Sequence, residues 1–259
     1  MQFWKYSATG NDFIMLDNRE GLKLKWSELA PKWCHRRFGI GADGIILLEN
    51  SKDADFRMRL INADGSEAEM CGNGARAIVH FAHHILKIKN DKKYTLQTMN
   101  SFYNAEVLFQ LIKVEMSEVG EAQECESPDF APYPLKTKIN TGVPHCVLEV
   151  DNLENYPVYE TGKTFRHHKE FPKGANINFI KIESSGLVSA RTYERGVENE
   201  TYSCGTGVTA IAASLRKMKK WRSPIKVMTK GGEVSVEFED EKYFLFAPVF
   251  CIYQGEISI

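Results

Sequence analysis

The strongest constraint on the fold is that the chain repeats itself once. Thr9-Gly10, an apolar run and Asp17-Asn18 return as Thr141-Gly142, an apolar run and Asp151-Asn152, the first pair 132 residues later. Gly41-Ala42-Asp43 with Ile45 to Glu49 returns as Gly174-Ala175-Asn176 with Ile177 to Glu183, 133 residues later. Cys71-Gly72-Asn73-Gly74-Ala75-Arg76-Ala77-Ile78 returns as Cys204-Gly205-Thr206-Gly207-Val208-Thr209-Ala210-Ile211, again 133 later. Thr98 ahead of Asn104 to Leu108 resembles Thr229 ahead of Glu233 to Phe238, offset by 131. Four blocks in one order at nearly one offset are the mark of two copies of one structural unit.

Within each copy most segments alternate apolar and polar residues and read as strands: Phe56 to Ile61, Val188 to Tyr193, Val234 to Phe238. One helix follows each Cys-Gly-x-Gly, over Ala75 to Leu86 and over Val208 to Met218; the first carries Ile78, Val79, Ala82, Ile85 and Leu86 at helical spacing. A further helix is expected from Ser27 to Arg37, with Ser27 as N-cap, Gly39 as its stop and Pro31 inside it. Strands around one helix per copy predict an α+β fold of two pseudo-symmetric domains, each a curled sheet with the helix at its core. The halves are placed at 1–116, completed by a C-terminal strand at 249–259, and at 117–248. The Glu- and Pro-rich stretch Ser117 to Lys136, with little periodicity, is expected to link them.

Composition removes whole classes of function. Among 259 residues 43% are apolar, enough for a real core, and the net charge is −1, so no long-range field draws nucleic acid or an anionic membrane. The densest basic stretch, Arg216 to Arg222, reads as the end of a helix, where cations complement the dipole. The N-terminus lacks a signal-peptide pattern, and no apolar run approaches the about 18 residues of a membrane span, so a cytoplasmic, reducing location is expected. The six cysteines include no Cys-x-x-Cys pair, which leaves free thiols as their default state and suggests no metal site. Cys34, Cys125, Cys146 and Cys251 are expected to be inert buried side chains.

Cys71 and Cys204 differ from those four by context. Glycines at a helix start let a ligand approach backbone N–H groups that have no partner within the helix, and these groups with the dipole make an anion site. A cysteine there has its pKa drawn below the free value of about 8.5. Two such elements in duplicated halves suit the inversion of an sp³ carbon, where one face loses a proton to a base and the other receives one from an acid. A thiolate and a thiol serve in either direction, and their titrations are coupled.

At these same residues the chain resembles the diaminopimelate epimerase family. The resemblance rests on Thr9-Gly10-Asn11-Asp12-Phe13, Phe38 to Asp43, Asn62-Ala63-Asp64-Gly65-Ser66, Met70 to Arg76, Glu194-Arg195-Gly196-Val197 and Ser203 to Gly207, in order over nearly the whole chain. It implies conversion of LL-diaminopimelate to the meso form without pyridoxal phosphate or another cofactor, in the lysine and peptidoglycan pathways. It further implies a homodimer of two-domain subunits, each domain barrel-like around a central helix. Carried over by motif, Cys71 and Cys204 are the acid/base pair; Gly72, Asn73, Gly205 and Thr206 bind the reacting carboxylate. Asn11, Asn62, Asn176, Glu194 and Arg195 hold the amines and the distal carboxylate, His145 and Glu194 adjust the thiols, and Tyr253 matches a dimer contact. Two positions depart from the family pattern: Gly44 stands where glutamine is common, and Val143 where Asn-Pro-His is the commoner sequence.

The same residues have plainer readings. Arg195 suits a bidentate carboxylate pair but also a surface ion pair. Asn62 before Ala-Asp-Gly can be a turn former, Asn11 and Asn176 turn caps, and His145 a structural histidine. Rival functions are a proline racemase or hydroxyproline epimerase on the same fold, a Cys71–His145 hydrolase or transferase dyad, and a pure amino-acid-binding module.

Overall fold

The computed structural model describes residues 1–109, 111–116 and 119–258; Ser117 and Glu118, at the start of the expected linker, and Ile259, at the end of the expected C-terminal strand, lie outside them. The chain forms two compact units, Met1–Glu115 with Phe246–Ile259, and Met116–Leu245.

The first unit runs β1 (Gln2–Ala8), β2 (Asn11–Asp17), α1 (Trp26–Trp33), β3 (Gly44–Glu49), β4 (Phe56–Asn62), β5 (Glu67–Ala68), α2 (Gly72–His80), β6 (Lys93–Gln97), β7 (Phe102–Leu108) and β8 (Leu111–Glu115). Strands β1 and β2 are antiparallel, β2 and β3 parallel, β3 and β4 antiparallel, and β4 takes β5 antiparallel and β6 parallel. The second unit runs β9 (Gln123–Glu124), β10 (Lys136–Asn140), β11 (Pro144–Glu149), α3 (Val158–Arg166), β12 (Asn176–Ser184), β13 (Leu187–Glu194), β14 (Asn199–Thr201), α4 (Gly205–Lys219), β15 (Ile225–Thr229) and β16 (Gly232–Glu239). Its pairings repeat the first unit's in order: β10–β11 antiparallel, β11–β12 parallel, β12–β13 antiparallel, and β13 with β14 antiparallel and β15 parallel. β17 (Lys242–Pro248) carries the chain back to the first unit, where β18 (Phe250–Glu256) pairs antiparallel with β1.

Burial explains why the first unit curls around α2. Phe13 and Met15 of β2 and Ile46 and Leu48 of β3 share a core with Ala75, Ile78 and Val79 of α2, joined by Tyr94, Leu96, Val107, Ile112 and Val114. The alternate residues Ile14, Leu16, Ile45 and Leu47 face the other way and pack on Trp26, Ala30 and Trp33 of α1. Strands covered on both faces read as continuous apolar runs, which is why Phe13 to Leu16 and Ile45 to Leu48 show no alternation. In the second unit α4 is buried over most of its first three turns, and Phe165 of α3 packs with Cys146, Leu148 and Phe179 on the outer face.

Several expectations need correction. The stretch from Ser117 to Lys136 is no linker: in its described part Cys125 and Phe130 are buried in the outer core of the second unit, and β9 pairs with β10. Periodicity missed it because it packs through a two-residue strand and one 3₁₀ turn, Pro128–Phe130. α1 spans Trp26–Trp33, with Lys25 and not Ser27 at the N-cap, because burial of both tryptophans sets its register. The helix also ends earlier than Arg37: Cys34 and not Gly39 is its C-cap, and Gly39, five residues beyond, only packs close to the helix end, where a Cβ would stand 2.2 Å from the Lys32 carbonyl oxygen. α2 and α4 begin three residues before the expected starts, so their glycines lie inside the first turn, and α2 ends in a π-helical turn, Phe81–Ile85. The run at 216–222 does end α4, with Lys220 left-handed as C-cap. Among the described residues no helix is long and apolar enough to cross a membrane.

Candidate active site

In the first unit the site is built on the start of α2. Cys71 is the N-cap in extended conformation (φ −146°, ψ 117°), and its Sγ accepts from the Gly74 backbone N–H at 3.4 Å. The sulfur takes the place that a serine or aspartate oxygen usually holds at an N-cap. Gly72 and Gly74 occupy the first and third helical positions, and the buried Asn73 lies between them. The Thr9-Gly10 turn, with both residues at positive φ (51° and 82°), delivers Asn11, whose Nδ2 lies 3.8 Å from Cys71 Sγ. Asn11, Cys71, Gly72 and Asn73 are thus gathered by two segments far apart in sequence. Asn62, at the end of β4, uses its Nδ2 on Ser66 Oγ at 3.0 Å and so serves the turn that follows.

In the second unit Cys204 is the N-cap of α4 (φ −116°, ψ 109°), and its Sγ lies 3.4 Å from Thr206 Oγ1. The Thr206 carbonyl accepts from Thr141 Oγ1 at 3.0 Å, which ties the repeat of the Thr9 turn to the helix start. A Cβ on Gly207 would stand 2.5 Å from Asn178 Oδ1 and 3.4 Å from Cys204 Sγ, so only glycine lets the helix backbone come this close.

His145, Asn176 and Arg195 form one network beside that helix. His145 is fully buried, with Nε2 3.3 Å from Asn176 Nδ2 and Nδ1 3.1 Å from Asn178 Nδ2. Burial, helped by the Arg195 charge, pushes its pKa down to about 3, so the ring is neutral at physiological pH. Asn176 Oδ1 accepts the Arg195 backbone N–H at 2.7 Å, Asn178 Oδ1 accepts Thr192 Oγ1 at 3.0 Å, and Glu194 Oε2 accepts Thr201 Oγ1 at 2.9 Å. The Arg195 guanidinium reaches the Lys173 carbonyl at 3.2 Å.

Cys34 is pushed up to about 12 by burial, and Cys146 is also raised, in each case removing usable thiolate. Cys34, Cys125 and Cys146 are buried; Cys251 is only half-buried, because its strand β18 covers one side of β1. Tyr253, also on β18, is 45% exposed beside Phe250 at 59% and Ile252 at 57%. Gly44 pairs with Asn62, and a Cβ there would stand 2.8 Å from the Ile61 carbonyl oxygen, so this backbone excludes the glutamine common at that position. Val143 is half-buried, and its carbonyl accepts the Thr141 N–H at 3.1 Å.

Sequence reasoning missed Asn178, Thr141 and Arg76. Asn178 interrupts the apolar run Ile177 to Ile180, and a lone amide inside a buried strand is the signal that was available. Arg76 was visible as a charge on an otherwise apolar helix, at a place where the other copy has Thr209.

Known proteins agree with this architecture. The sequence profile described as diaminopimelate epimerase matches residues 3–123 and 137–247. A diaminopimelate epimerase from Aquifex aeolicus is 37% identical over 100% of this chain and 98% of its own length. One from Flavobacterium psychrophilum is 41% identical over 99% of this chain and 100% of its own. A Bacillus anthracis phenazine biosynthesis protein of the PhzF family shares the fold with a TM-score of 0.80 at 16% identity, covering 100% of this chain and 99% of that one. With two intact copies of the unit and full-length kinship of this degree, the chain belongs to the diaminopimelate epimerase family.

Proposed function

We propose that the protein converts LL-2,6-diaminopimelate to the meso isomer without pyridoxal phosphate, with Cys71 and Cys204 as its two acid/base groups. The observation that carries this reading is that each thiol is the N-cap of the central helix of its own unit, at equivalent places in one repeated topology. One sulfur, as thiolate, takes the α-proton; the other, as thiol, delivers its proton to the opposite face. The substrate leaves inverted, and the two sulfurs have exchanged protonation states. Charge that develops on the α-carboxylate is received by the backbone N–H groups of Gly72, Asn73, Gly205 and Thr206; one preorganised donor of this kind is worth about 10²–10³ in rate. A positioned base adds about 10²–10⁴.

Asn11, Asn62, Asn176, Glu194 and Arg195 supply polar partners for the amines and the second carboxylate. His145, neutral and packed between the Asn176 and Asn178 carboxamides, accepts from one of them through its single unprotonated nitrogen and acts by positioning and not as a cation. The product feeds lysine and peptidoglycan precursors. A homodimer that uses the exposed apolar side chains of β18, Tyr253 included, and a cytoplasmic location complete the proposal.

Incubation with LL-diaminopimelate in D₂O, with no cofactor added, should place deuterium at the inverted α-carbon. Cys71→Ala and Cys204→Ala should each stop epimerisation. Normal turnover by Cys204→Ala would refute the two-base reading, and a trapped acyl-enzyme would favour the hydrolase alternative.

A further inference from the structure

Arg76 lies in α2, five residues beyond Cys71, and is fully buried in the first unit. A guanidinium withdrawn from water is costly unless an anion and good hydrogen bonds compensate it. Its hydrogen bonds are to neutral acceptors: Nη2 donates to Asn73 Oδ1 at 2.6 Å and to Thr9 Oγ1 at 3.0 Å, and Nη1 to the Pro248 carbonyl at 3.3 Å. Its Nε has no hydrogen-bond partner among the described residues. Cys71, at the start of the same helix, is a titratable group whose charge acts on it. Burial lowers the guanidinium to about 10, which leaves it cationic at neutral pH.

Two further facts give this cation a purpose. Two of its three neutral partners, Thr9 and Asn73, belong to the segments that frame the thiol. Thr9 is a non-glycine residue at φ 51°, a conformation that needs holding, and it starts the turn that presents Asn11 to Cys71. Asn73 is the residue between the two glycines of the helix start. The second copy carries no such charge: Thr209 stands at the equivalent place and donates to the Gly205 carbonyl at 3.0 Å.

We propose that Arg76 is a positioning residue that favours the thiolate at Cys71 over Cys204, while its fork fixes the Asn11 turn and Asn73 around that sulfur. The inference rests on the reading of Cys71 as an acid/base group. It makes the resting enzyme asymmetric, with the negative charge on the first unit's sulfur and the proton on the second's.

The test follows alkylation of each cysteine by iodoacetamide across pH 5–10, resolved by peptide mass spectrometry, beside kcat and KM for diaminopimelate. In the unaltered protein Cys71 should titrate at lower pH than Cys204. Arg76→Met should raise the Cys71 midpoint by about one pH unit or more and leave Cys204 in place. Arg76→Lys should keep the midpoint near its original value but lower kcat/KM, because one ammonium cannot reproduce both the Nη2 bonds to Thr9 and Asn73 and the Nη1 bond to the Pro248 carbonyl. Should Arg76→Met fail to fold, Thr9→Val leaves the charge and cuts one tine: it should raise KM without moving the Cys71 midpoint. An unmoved Cys71 midpoint in Arg76→Met, a Cys71 midpoint above that of Cys204 in the unaltered protein, or equal shifts of both thiols would overturn the proposal. A shift confined to Cys71 in a protein that does not epimerise diaminopimelate would uphold the charge assignment and refute the functional reading instead.

Discussion

Gly207→Ala offers the sharpest trial of the site's construction. In an ordinary helix interior this change is favourable by about 1 kcal/mol, since alanine is the better helix former. Here the added methyl would stand 2.5 Å from Asn178 Oδ1, well inside contact distance, and 3.3 Å from Cys204 Cβ. Asn178 cannot step aside freely, because its carboxamide already serves Thr192 Oγ1, the Cys146 carbonyl and His145. Overpacking of this kind costs about 1–3 kcal/mol, and a disturbed buried hydrogen bond adds about 0.5–1.5. The unfavourable terms outweigh the propensity gain, for a net loss of about 1–3 kcal/mol. Differential scanning fluorimetry should show a fall in Tm on the order of 5 °C, and kcat should drop because Cys204 is displaced. Gly74→Ala is the internal control: the one tight contact of its methyl would be the Ile46 Cδ1 terminus at 3.0 Å, which a rotamer change can relieve, with Cys71 Cβ and Sγ at ordinary contact distances of 3.5 and 3.8 Å, so its Tm should stay within a few degrees of the starting protein. A Gly207→Ala protein as stable as Gly74→Ala, with unchanged kcat, would refute the argument that close approach at residue 207 explains its glycine.

Gly44→Gln, which restores the common family residue, should destabilise the first unit by about 1–3 kcal/mol and should not lower KM, because the Ile61 carbonyl occupies the space of the new Cβ; a stable variant with tighter substrate binding would contradict this. The depressed His145 titration gives a signed pH effect: its contribution is intact above the ordinary value of 6.5 and is lost as pH falls toward about 3, at about 1.4 kcal/mol per pH unit inside that window. His145→Gln should therefore show a shallower decline of Tm between pH 6.5 and 4.5 than the parent, and parallel declines would show that His145 is not held neutral. If β18 forms the dimer contact, Ile252→Glu should halve the mass measured by light scattering, and a variant that stays dimeric would remove this strand from the interface.

Much of the protein can be read without coordinates because the signals involved are local. The duplication follows from recurrence of short blocks, and the helix after each Cys-Gly-x-Gly from apolar spacing that a few turns of chain determine. The place of Cys71 and Cys204 at a helix start, on which the proposed chemistry rests, is likewise a local signal. Even so, the helix starts lie earlier than spacing indicates, because periodicity reports apolar faces and glycines carry none.

What folding alone decided are the relations between distant segments. Whether residues 119–136 link or pack depended on the pocket that Phe165 and Leu148 offer to Phe130. The fate of Arg76 depended on Thr9, 67 positions away, and on Pro248, 172 positions away, and no window of sequence contains all three. The two copies look alike in sequence at their cysteines, yet one cysteine caps a helix that buries Arg76 and the other caps a helix packed on Asn178. Local propensity is set by neighbours along the chain, whereas charge, burial and hydrogen-bond satisfaction are set by neighbours in space. The sequence therefore determined the repeat and the cysteine at each helix start, and the tertiary structure gave the two cysteines different surroundings.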